Sequence, residues 1–234
     1  VAKGVEEQTE KLVEVCRMRK TPIILFINKM DREGKDPFDL LDEVETKLGL
    51  HVTPLSWPVG MGQSFQGVYS LYEKKFIHFK PHGKQDGEEV ITIENTNSED
   101  FKSIIGSRMH GIFLDELNTI ETIYPRFNRE DYLSGKIAPV FYGSAVNNFG
   151  VREMLDCFVE IAPTPLSRET EERIVKPEEE ALSGFIFKIH ANMDPKHRDR
   201  IAFFRICSGI FKRNTNYFHV RLNRQLKFSN PTSF

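Results

Sequence analysis

The chain is 234 residues long, enough for one large domain or two modest ones. With 39% apolar and 28% charged residues it has an ordinary globular composition, and no apolar run nears the roughly 20 residues a membrane-spanning helix needs. The net charge of −2 hides a polarity: residues 183–234 carry ten Lys/Arg against two Asp/Glu, and the first 182 carry 22 against 32, so the C-terminal part is expected to face a polyanion.

Val5, Leu12, Val13 and Cys16 recur at helical spacing, with Glu7 and Lys11 placed to pair. Residues 23–27 form an unbroken apolar run, read as a strand buried on both faces of a parallel sheet. The run ends in Asn28-Lys29-Met30-Asp31, the Asn-Lys-x-Asp pattern with which guanine-nucleotide-binding proteins read the base. The Asp31 carboxylate can accept from guanine N1–H and the 2-amino group. Adenine lacks that donor pair and would leave a charged acceptor unpaired. Asn28 can bond the purine N7 and tie neighbouring loops, while Lys29 can lay its methylene stem along the base. Four letters recur by chance, so position carries the weight: ligands of open α/β sheets sit at the carboxyl ends of strands.

Asp36-Pro37 reads as a cap and first helical residue, Phe38, Leu41, Val44 and Leu48 mark one helix face, and Gly49 stops it. Residues 52–59 read as one short strand with an irregular end, and the glycine-rich 60–67 as a turn. Stretches 65–72, 75–80 and 88–94 suggest an antiparallel meander, with 81–87 a loop. One helix is expected from Ser98 through Ile104, Ile105, Ile112, Phe113, Leu117 and Ile120, with Asp115, Glu116 and Glu121 on a solvated face. Much of about 60–130 thus reads as an insertion between two strands that adjoin in a minimal nucleotide-binding fold.

A second apolar strand, 138–142, ends in Gly143-Ser144-Ala145. This matches the second base-reading loop of the same proteins, where the Ala145 N–H would meet guanine O6 and the Ser144 hydroxyl would brace the carboxylate. A helix over 150–161 follows, with Val151, Leu155, Phe158 and Val159 inward, and residues 166–182 are a linker by composition. From Ser183 the pattern is all-β, with strands at 185–190, 201–207 and 217–222 and Phe203, Phe204 and Phe211 as core. Cys16, Cys157 and Cys207 form no Cys-x-x-Cys and the seven histidines no ligand spacing, so reduced thiols, no metal site and a cytoplasmic location are expected. No Gly-x-x-x-x-Gly-Lys-Ser/Thr occurs, and an Asp-x-x-Gly magnesium element is expected to be absent. On that reading the chain holds no catalytic residue and is a piece lacking the phosphate-binding half of its domain.

With both loops placed, the chain resembles the translational GTPases, the elongation-factor-G-like proteins, through Gly4-Val-Glu-Glu-Gln-Thr9 and the two base loops. Within them, Ser56-Trp-Pro-Val-Gly60 and Ala191-Asn-Met-Asp-Pro-Lys-His-Arg-Asp-Arg200 are similar to the peptide-chain release factor 3 family. The resemblance implies the C-terminal part of a P-loop-type GTPase domain over 1–165, an α/β unit with a parallel sheet and an α+β insertion. After the 166–182 linker it implies the first strands of an elongation-factor-Tu-like β-barrel over 183–234. It implies GTP or GDP as ligand, with Mg2+ in the intact protein, and the ribosome (RNA and proteins) and class-I release factors as partners, with no membrane. Asn28, Lys29, Asp31, Ser144 and Ala145 carry over as guanine contacts. Lys196, His197, Arg198 and Arg200 are candidate ribosomal RNA contacts, weighed against a solvated charged turn. The competing readings are an elongation-factor-G-like or ribosome-protection GTPase, and a non-hydrolysing ribosome- or RNA-binding module.

Overall fold

A computed structural model describes residues 1–78, 90–91, 93, 95–191, 200–228 and 231. The loop expected at 81–87, and Lys196, His197 and Arg198, lie outside the described residues. The chain divides into two compact units, Val1–Ala162 and Pro163–Phe234.

The first unit opens with α1 (Glu7–Met18), β1 (Leu25–Ile27), α2 (Pro37–Leu48), β2 (His51–Pro54) and β3 (Ser56–Val59). It continues through β4 (Gly67–Ser70), β5 (Lys75–His78), β6 (Val90–Ile91), α3 (Glu99–Ile105) and α4 (Ser107–Ile123). It ends with α5 (Arg129–Leu133), β7 (Ile137–Tyr142) and α6 (Val151–Ile161). A parallel sheet of order β1-β7-β2 carries β7 in the middle, and all six residues of β7 are buried. β1 is shorter than the apolar run predicts and only half-buried, because among the described strands it pairs with β7 alone.

The expected single strand over 52–59 is two strands in two sheets. β2 pairs with β7 as far as Pro54↔Val140, and Leu55 N–H still donates to Val140 O at 2.9 Å. The chain then turns away: the next β7 amide, Tyr142 N–H, is satisfied by the Ser56 hydroxyl at 2.9 Å, and β3 founds the antiparallel sheet β3-β4-β5-β6. The meander is therefore present, with one more strand than expected. Trp57 is fully buried against Phe38 (centroids 4.6 Å) and Tyr142 (5.3 Å).

The helix expected from Ser98 is two helices. Ser98 caps α3 as predicted, accepting from Phe101 N–H at 3.2 Å, but Gly106 (φ 83°, ψ 146°) breaks the run before α4. Glu116 does not belong to a solvated face: it accepts the Trp57 indole N–H at 2.8 Å, and burial pushes its carboxyl above the usual range. In α6 the buried residues are Glu153, Cys157 and Ile161, whereas Leu155, Phe158 and Val159 are exposed, contrary to expectation. The helix carries two apolar stripes, and spacing alone does not choose between them.

In the second unit, the segment read as a linker holds a short hairpin, β8 (Arg168–Glu169) with β9 (Ile174–Val175). Two further antiparallel ladders follow: β10 (Ser183–Ala191) with β11 (Arg200–Ser208), and β12 (Asn216–His219) with β13 (Arg224–Lys227). Phe204 is exposed rather than core, while Phe203 and Phe211 are half-buried, Phe211 stacking on Tyr217 at 5.2 Å. Bulges at Ser183/Gly184 and Ile186/Lys188 interrupt the regular pairing of β10 with β11.

Helix α2 follows its sequence signals closely. Asp36 caps it, accepting from Phe38 N–H at 2.8 Å, Pro37 is its first residue, and Gly49 ends it at φ 58°. Glu43 of the same helix, largely covered, accepts from Lys35 and Lys47, both at 2.6 Å, and from Val5 N–H at 3.2 Å. Lys35 and Lys47 hold its carboxyl down, from 4.5 to about 2. A folded-state value below the unfolded one contributes stability above pH 4.5 that fades as pH falls toward 2. Glu43→Gln should therefore lower the denaturation midpoint at pH 7 and leave it unchanged near pH 2, measured by denaturant titration across that range.

Candidate functional site

The pairing Ile27↔Tyr142 sends two loops out of the sheet side by side. Beyond the last paired residues, Gly143 N–H donates to Ile27 O at 3.1 Å and Met30 N–H to Gly143 O at 3.0 Å. The bridge between the loops is the Asn28 amide oxygen, which accepts from Lys29 N–H at 2.8 Å and from Ala145 N–H at 2.9 Å. Lys29 has φ 71°, a left-handed conformation that costs a non-glycine residue on the order of 1 kcal/mol or more. The Asn28 bond and a turn bond from Arg32 N–H to Lys29 O at 3.0 Å hold it there.

Asp31 lies on the same turn. Its Oδ1 is buried and has no hydrogen-bond partner among the described residues. The Ser144 hydroxyl does not reach it: Ser144 is buried and its Oγ accepts from Asn147 Nδ2 at 2.8 Å. The Ala145 N–H expected to face guanine O6 is engaged by Asn28. Lys29 and Ala145 are exposed. The structure thus joins Asn28 to Ala145 directly, with Lys29 and Asp31 on the Asn28 turn and Ser144 beneath Ala145. Arg200 is the exposed first residue of β11 in the second unit.

A third segment touches the turn, one that residue patterning reads as a plain connection. Between β3 and β4, Gly62 N–H donates to Met30 O at 2.9 Å and Gln63 N–H to Glu33 Oε1 at 3.2 Å. The signal for it in the sequence is the pair of glycines at 60 and 62, both at positive φ (76° and 59°).

Asp31-Arg-Glu-Gly34 does spell Asp-x-x-Gly, contrary to expectation, but it lies in the turn that follows β1. No group of three His, Cys, Asp or Glu side chains able to hold a metal forms among the described residues. No described helix is long and apolar enough to cross a membrane.

The second loop tolerates little at its root. A Cβ on Gly143 would overlap the Phe149 carbonyl oxygen and fall 2.8 Å from Phe26 Cζ. Ser144 and Phe149 exchange backbone bonds at 2.9 and 3.0 Å, so that carbonyl cannot move freely. Gly143→Ala should destabilise the chain by about 1–3 kcal/mol, read by chemical denaturation.

The Elongation factor Tu GTP binding domain family matches residues 1–164, and Elongation factor G domain 2 matches residues 181–234. Among solved structures, the crystal structure of ttk003000868 from Thermus thermophilus superposes on 97% of this chain with a TM-score of 0.65 at 19% identity, a likeness of fold. The chain spans 33% of the length of that protein. The chain therefore belongs to the translational GTPase family, with a GTP-binding domain of elongation factor Tu type followed by strands of an elongation factor G second domain.

Proposed function

We propose that the full-length protein binds and hydrolyses GTP on the ribosome, and that the turn at 28–31 and the loop at 143–145 read its guanine. The observation that carries this reading is the buried Asp31 Oδ1, an acceptor without a donor. Such a group is unfavourable in the free protein, and guanine N1–H and the 2-amino group supply the missing donors. Asn28 Oδ1 is taken by two backbone amides, which leaves its Nδ2 to donate to the purine N7. Exposed Lys29 covers a face of the base with its stem. Guanine O6 shares the Ala145 N–H with Asn28 in a three-centre bond. Bound magnesium would shield the phosphate charge.

Within the family we assign the protein to termination, as a GTP-dependent factor that recycles class-I release factors. The 191–200 string supports this more than Ser56-Trp57-Pro58-Val59 does, since the latter is the buried strand β3 and has a packing reason of its own. Lys196, His197, Arg198 and Arg200, in the basic tail, then meet ribosomal RNA phosphates. An elongation-factor-G-like role rests on the same family matches and is the second reading.

In the full-length protein, Asp31→Asn should move base preference from guanine to xanthine nucleotides, because the xanthine 2-oxo group needs a donor where guanine brings one. Unchanged preference would remove Asp31 from the site. On post-termination ribosomes, the protein with GTP should speed dissociation of a class-I release factor. Translocation activity without that acceleration would replace the termination role with the elongation-factor-G-like one.

A further inference from the structure

Resting on the base-reading role of Asp31, we propose that Glu33 and the 60–64 loop of the inserted sheet are its positioning elements, setting where the Asp31 carboxylate meets guanine. Asp31 sits between two tethered neighbours. On one side, Met30 is fully buried and held at both ends of its backbone, its N–H by Gly143 O (3.0 Å) and its carbonyl by Gly62 N–H (2.9 Å). On the other side, the Glu33 carboxylate receives Gln63 N–H at 3.2 Å. Two of these three tethers come from one loop, and that loop belongs to the β3–β4 connection, outside the parallel sheet that carries the turn.

Gly62 is shaped for this approach. Its φ of 59° disfavours any L side chain, and a Cβ there would overlap the Glu33 carboxylate. The 60–64 loop is itself braced: Ser64 Oγ donates to Met61 O at 2.8 Å and Phe65 N–H to Gly62 O at 3.2 Å, while Phe65 packs edge-on against Phe149 (centroids 5.6 Å). Phe149 exchanges backbone bonds with Ser144, so the same loop leans on both base-reading segments. The inserted sheet is thereby in mechanical contact with the specificity turn, and movement of one shifts the other.

The test compares GDP with IDP, the inosine nucleotide that lacks the 2-amino group, by equilibrium binding to the full-length protein. A well-placed Asp31 favours GDP. Glu33→Ala and Gly62→Ala should each lower the GDP-over-IDP preference by roughly 3- to 10-fold, the worth of one hydrogen bond made off its best geometry. Glu33→Gln keeps an oxygen to accept from Gln63 and should retain the wild-type ratio. A merely structural role would lower the thermal midpoint while leaving the ratio where it was. If Asp31→Asn shifts base preference but both Glu33→Ala and Gly62→Ala keep the wild-type ratio, this inference is overturned and the base-reading role survives. If Asp31→Asn changes nothing, the base-reading role fails and this inference with it.

Discussion

The site depends on the parallel pairing of β1 with β7. Three paired residues bring together loops whose bridging bond, Asn28 to Ala145, spans 117 positions. The entropy of closing so long a loop grows only slowly with its length, so an interval filled by a second sheet and helices α2 to α5 is compatible with a close junction. The junction is clamped mainly through Tyr142. Its N–H is held by Ser56, and its hydroxyl donates to Pro37 O at 3.3 Å, at the very start of α2. Burial keeps that phenol protonated far above the ordinary range, so it remains a donor. Both ends of the segment from Asn28 to Pro37 are therefore fastened to β7, one through the sheet and one through a tyrosine.

Three carboxylates of the first unit meet three different environments, and the contrast gives Asp31 its meaning. Glu43 is surrounded by two ammonium groups and a backbone donor, and it stays ionised well into acid. Glu116 is desolvated with a single neutral donor, Trp57, and its carboxyl is pushed upward. Asp31 has a buried oxygen with no donor among the described residues. Buried acceptors are paired in most folded proteins, so an oxygen without a donor sets Asp31 apart from Glu43 and Glu116.

What the sequence made legible was whatever local chemistry dictates. The cap, proline and glycine of α2, the Glu7–Lys11 pair at 2.6 Å and the Ser98 cap follow from residue type and spacing alone. What it hid was decided by partners. The break at Gly106 needed a backbone geometry that one glycine permits but does not announce. The change of sheet at Leu55 rests on the Ser56 hydroxyl replacing a strand neighbour, a substitution that alternation cannot reveal. The inward face of α6, and the burial of Glu116 beside Trp57, depend on contacts made across long stretches of chain. The two loops stood out as motifs at the ends of apolar strands, whereas the bonds that Ser144 and Ala145 make to Asn147 and Asn28 were not legible.

The glycine-rich stretch after β3 is the instructive case. Judged only as a phosphate loop it fails, because the lysine and hydroxyl residue are missing, and it then looks like a plain turn. Glycine has a second use, though, which is to let one backbone come close to another. Gly62 uses it to place its N–H against Met30 and its bare Cα against Glu33. A turn that carries a left-handed lysine has strain to contain, and the strand it grows from has only one described neighbour. Support has to come from elsewhere, and the β3–β4 loop of the second sheet gives part of it. The β3–β4 connection is, at this loop, part of the wall around the turn that follows β1.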